Sequence, residues 1–156
     1  MIRPTWILCN VALIATLFAT STGSAADVNI RVTVVTILAS DKHTHVCKEL
    51  QEIAPQLQAK EPKLTGFTLE RTTSKSMKLG AKDMFHLVDM EFAEVKLREK
   101  DDKQNRVSLT IRPPTLGDIE YTTCCGKYFP VFTGYRDKER NELVIIAVMV
   151  KPCSKK

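Results

Sequence analysis

The sequence predicts an α+β domain. It would be a mainly antiparallel β-sheet, single or closed into a sandwich, packed by one N-terminal helix and preceded by a cleaved signal peptide. Three observations predict it. Helical periodicity occurs in one stretch, residues 46–57. Nearly every later segment alternates apolar and polar residues with a period of two, as half-buried strands do. The first and last strand-like runs, residues 28–38 and 143–150, are the most apolar of the mature chain, as strands covered on both faces are. With 156 residues, 44% hydrophobic and 26% charged, and only 6 Gly and 7 Pro, the chain is one ordinary domain rather than collagen, low-complexity disorder or a multidomain enzyme.

Residues 1–26 read as an export signal. Arg3 supplies the positive end, and residues 6–18 are apolar apart from Cys9, Asn10 and Thr16. Ser24-Ala25-Ala26 puts small side chains at the two positions a signal peptidase reads. The apolar run is too short and interrupted for a stable span, and a buried N-terminal helix explains the small-residue exit less well. Cys9 comes too early, behind too large a Leu8, to be a lipidation site. Cleavage after Ala26 leaves a single domain, residues 27–156, and loss of Arg3 takes the net charge from +5 to +4. The expected location is the periplasm or the medium, with no membrane span after leader removal. Lys96, Arg98, Lys100 and Lys103 alternate with Glu94, Glu99, Asp101 and Asp102, which is a solvated hairpin and not a nucleic-acid face.

Each element follows from its pattern. Val28, Ile30, Val32 and Val34 alternate with polar residues, then Val35, Ile37 and Leu38 make the run continuously apolar. Ser40 or Asp41 ends this strand by accepting the first amides of a helix. Val46, Leu50, Ile53 and Leu57 share one helical stripe, and Pro55 predicts a kink or break near Ala54. Phe67 and Leu69 share parity, as do Met77 and Leu79, with a polar middle over residues 71–75 that reads as an exposed edge or a loop. Met84, Val88, Met90 and Phe92 are even while Val95 and Leu97 are odd, so a bulge or turn is expected near Ala93-Glu94. Residues 95–99 and 106–112 form a hairpin, 119–123 and 129–133 are shorter strands, and 143–150 is expected beside the first strand at the sheet centre.

Ile37-Leu38-Ala39-Ser40, Ile53-Ala54-Pro55-Gln56-Leu57 and Leu64-Thr65-Gly66-Phe67-Thr68-Leu69 leading to Leu79-Gly80 occur in a familiar order. In this the chain resembles a group of small, uncharacterised secreted bacterial proteins common in planctomycete-like genomes. The resemblance covers most of the mature chain. It implies an extracytoplasmic α+β domain and transfers no catalytic residue.

Cys47, Cys124, Cys125 and Cys153 remain after the leader, and an even count in an exported chain favours pairing. Joining the neighbours Cys124 and Cys125 demands a strained ring, so the expected schemes tie Cys47 and Cys153 to the Cys124-Cys125 corner. The rival reading is a Zn or Cu site. His43, His45 and Cys47 alternate, and in an extended segment all three would share a face, with the Cys pair nearby. Alternatively, both histidines are exposed loop residues. No C-x-x-C supports a thiol-redox enzyme, and no serine sits in a nucleophile motif.

Asp89 and Glu91, two apart, read as the solvent face of a strand, and His86 as a core histidine. Tyr121, Tyr128, Phe129, Phe132 and Tyr135 cluster in sequence, either as core or as a partner-binding patch. The expected function is therefore a non-enzymatic, disulfide-stabilised binding or assembly domain, without a cofactor, for another exported protein or an envelope component. The alternative is an extracytoplasmic metal-binding protein. No nucleophile and base pair can be named.

Overall fold

A computed structural model describes residues 29–101 and 103–152. The signal peptide expected over residues 1–26, and Cys153, lie outside the described residues. The elements run β1 (Ile30–Ser40), a 3-10 turn (Lys48–Leu50), α1 (Ala54–Lys60), β2 (Gly66–Met77), β3 (Lys82–His86), β4 (Phe92–Asp101), β5 (Arg106–Arg112), β6 (Ile119–Cys124), β7 (Tyr128–Arg136) and β8 (Leu143–Pro152). The strands form two four-stranded antiparallel sheets, β2-β1-β8-β7 and β3-β4-β5-β6. Among the described residues no helix is long and apolar enough to cross a membrane.

Burial on both faces makes β1 and β8 the centre. Ile30, Val32 and Val34 of β1 and Ile146, Val148 and Val150 of β8 point between the sheets, against Val95 and Leu97 of β4 and Leu109 and Ile111 of β5. Burying each such side chain contributes about 1.5–3 kcal/mol relative to exposure. Their odd neighbours Val35, Ile37, Ala39, Ile145 and Ala147 point the other way, onto Leu50, Ile53 and Leu57 of the helical segment. The result is three layers, helical segment on sheet on sheet. The expected pairing of first and last strands is found, with Val35 opposite Ala147.

Three expectations need correction. The break expected near Ala54 is found, but no helix runs back from it through Val46. Pro55 occupies the first turn of α1, where its missing N–H would have no partner anyway, and the helix starts there. Val46 instead makes an isolated parallel bridge to Phe67. Of the two readings of the polar stretch over residues 71–75, the exposed edge is the one found: it is the middle of one continuous edge strand, β2, whose register shifts by one residue against Thr36/Ile37.

Of the bulge or turn expected near Ala93-Glu94, a turn is found, over residues 88–91 between β3 and β4, and no bulge occurs at Ala93-Glu94 itself. Phe85, Ala93, Val95 and Leu97 face the core, while Met84, Met90 and Phe92 lie exposed, so of the even set only Val88 is buried. The register shift sits at Leu97/Glu99 instead. Finally, Asp89 and Glu91 belong to the turn between β3 and β4, not to a strand.

Candidate functional site

The helical segment covers only part of its sheet. A helix extended back through residue 51 would clash with the Pro55 ring, so residues 48–53 form a 3-10 turn and a short bend instead. Beyond this cover the odd positions of β1 turn polar: Thr33 hydrogen-bonds Ser74 across the strands at 2.8 Å, and Arg31 is exposed. At the margin between covered and uncovered sheet lies a cleft of about 130 Å³.

Val35 of β1 and Ala147 of β8 form its floor, and Leu50 and Ile53 form the wall from the helical segment. Leu69 of β2 and Tyr128 of β7 close the sides. Thr72 lines it because the β2 register shift moves even-numbered side chains onto this face. Glu49 and Glu52, both exposed, also line it, and neither side chain has a partner among the described residues. The floor and helical wall are almost fully buried, from 0% exposure at Ala147 to 7% at Val35. The cleft is thus an apolar hollow with two carboxylates beside it, and no Ser, Cys, His, Lys or Arg is among its lining residues.

The residues expected to carry function are dispersed. His43 turns to the β7–β8 connection, its Nε2 3.3 Å from Glu142 Oε1. His45 lies exposed with its Nε2 3.9 Å from Cys47 Sγ. The three do not meet as a ligand set, and among the described residues no three His, Cys, Asp or Glu side chains converge as metal ligands do.

Cys47 packs beside the helical segment, whereas Cys125 packs into the core on the opposite face of the same sheet. Among the described residues neither Cys47 nor Cys124 is bonded to another cysteine. The five aromatics do not form one patch. Tyr128 and Phe132 join the helix-side cluster, Tyr121 stacks on Phe129 with ring centroids 4.0 Å apart at the other face, and Tyr135 packs near Leu38 and Val144. Only Tyr128 reaches the cleft.

A second polar group ties the sheets together. Asp89 takes a left-handed φ of 53°, uncommon outside glycine, and its Oδ2 accepts hydrogen bonds from the Tyr135 hydroxyl at 2.7 Å and the Lys138 amide at 3.2 Å. Its carbonyl lies 2.8 Å from His86 Nε2, which places His86 at this turn and not in the core. The Tyr135 phenol is pushed up to about 12, first by its hydrogen bond to Asp89, then by desolvation and the surrounding negative charge of Asp89, Glu91 and Asp137. Asp137, buried, accepts from the Glu142 and Arg140 amides and so shapes the adjoining connection. Asp89 Oδ2 and both Asp137 carboxylate oxygens thus accept bonds that hold the adjoining turns in place.

Sequence reasoning missed the cleft. The available signal was the change from Arg31 and Thr33 to Val35 and Ile37 on one strand parity, which marks where cover begins. No protein family, curated protein or solved structure matches the chain.

Proposed function

We propose that the chain is an exported binding or assembly domain that works through the cleft beside the helical segment. One observation carries the reading: an open hollow lined by Val35, Leu50, Ile53, Tyr128 and Ala147, with two exposed acids beside it. A hollow of this size suits one ring or a short aliphatic chain, since an apolar cavity of about 150 Å³ accepts benzene. The partner then presents such a group, from another exported protein or an envelope component.

Stabilisation by a disulfide belongs to the same proposal. The Gly126 amide donates to the Val150 carbonyl at 2.8 Å, so the Cys124-Cys125 corner lies alongside the end of β8, and Cys153 follows Pro152 directly in the chain. Cys153 would pair with one thiol of that corner. The two thiols would lose two electrons and two protons to a disulfide-bearing thiol oxidoreductase, which is reduced to its dithiol.

Titration with benzyl alcohol, followed by amide and methyl NMR shifts, tests the binding reading. Saturable shifts are expected at Val35, Leu50, Ile53 and Ala147, and Ala147→Leu, which fills the hollow, should abolish them. Shifts absent from these residues, or unchanged in A147L, would overturn it.

A further inference from the structure

We infer that the cleft selects a small organic ammonium, a compound with one positively charged nitrogen on an apolar body of about six or seven carbons. The inference rests on the binding reading above and adds the sign of the ligand's charge. Glu49 and Glu52 flank the apolar hollow, and no Lys, Arg or His lines it. Neither carboxylate is engaged by another side chain among the described residues, whereas Asp83, Glu94 and Asp118 are held by Lys75, Lys82 and Arg112. Two unengaged acids beside an apolar floor create a negative potential at the opening while the interior stays uncharged.

Tyr128 adds to the same preference, because an aromatic face attracts cations. The volume sets the scale of the body: about 130 Å³ is close to that of an apolar cavity that accepts one ring. An anion meets repulsion here, and a neutral molecule of equal shape gains only from the floor.

Each exposed carboxylate about 6 Å from an ammonium contributes roughly a threefold gain in affinity at low salt, so two give threefold to tenfold. The test uses the full chain and three probes of matched shape: benzylammonium, benzyl alcohol and benzoate. At about 20 mM salt benzylammonium should bind roughly threefold to tenfold more tightly than the alcohol, with benzoate weakest, and about 0.5 M salt should compress the series. Glu49→Gln with Glu52→Gln should bring the ammonium-to-alcohol ratio close to one.

If the alcohol binds and the ammonium gains nothing over it, the charge inference falls while the binding reading stands. If none of the three binds, both fall. A preference for ammonium that survives in E49Q/E52Q, or that ignores salt, also overturns the inference.

Discussion

Gly66 leaves no room for a side chain: a Cβ built there would lie 2.1 Å from His43 Nδ1 and 2.7 Å from the His43 carbonyl oxygen. The ring can swing aside, but the carbonyl is held by a 2.7 Å hydrogen bond from the Thr65 hydroxyl. Gly66→Ala should therefore cost about 1–3 kcal/mol by urea denaturation, and adding His43→Ala should recover only part of it. An unchanged midpoint would contradict the packing. Tyr135 gives a second prediction. Among three tyrosines, one should ionise near 12 in an ultraviolet titration, and Asp89→Asn should bring it back toward 10. Because the folded value exceeds the unfolded one, the stabilisation is complete below pH 10 and lost as pH rises through 12. Little of this was legible in the sequence. Asp89 sits in an alternating pattern that fits a strand, and its left-handed backbone depends on contacts from Tyr135 and Lys138, more than forty residues away.

At the scale of elements, Pro55 decides how much of the sheet is covered. As a first-turn proline it is compatible with α1, so Pro55→Ala should lower stability by no more than about 1 kcal/mol, through the unfolded chain, and add no helix by circular dichroism. A gain in both helicity and stability would mean that the proline interrupts a longer helix. The disulfide proposal predicts that non-reducing peptide mapping of exported protein links Cys153 to Cys124 or Cys125 and finds Cys47 reduced. Closing that loop of about 30 residues contributes about 3–4 kcal/mol on the chain-entropy account. A Cys47 bridge would contradict it, since Cys47 and Cys125 pack on opposite faces of one sheet. Strand existence was legible wherever alternation was clean, as at Val107, Leu109 and Ile111. It misled at β3 and β4, where Met84 and Phe92 are apolar yet exposed, so residue type gave the wrong face.

For the whole molecule, the layer order follows from two strands. Continuous burial along β1 and β8 requires cover on both sides, and one helix is too small to supply it, so the remaining strands fold over as a second sheet. Composition along the chain could announce that need but not the cleft, because the gap in the cover depends on where the helical segment stops in space. Amide hydrogen exchange should be slowest in β1 and β8 and faster in β3 and β6, which end the second sheet. Faster exchange at Ile145 or Val148 than at Met84 or Tyr121 would contradict the layer order. The edges of the first sheet are guarded differently. Pro130 removes a donor from β7, and Lys75 of β2 reaches Asp83 and the Met84 carbonyl of β3, both at 2.7 Å. Edge pairing is thereby discouraged on that sheet.

The most direct measurement is a crystal structure of the full chain grown with benzyl alcohol. The account predicts density for one ring between Leu50 and Ile53 on one side and Ala147 on the other. An empty or collapsed hollow there, with the ring bound elsewhere or absent, would contradict it.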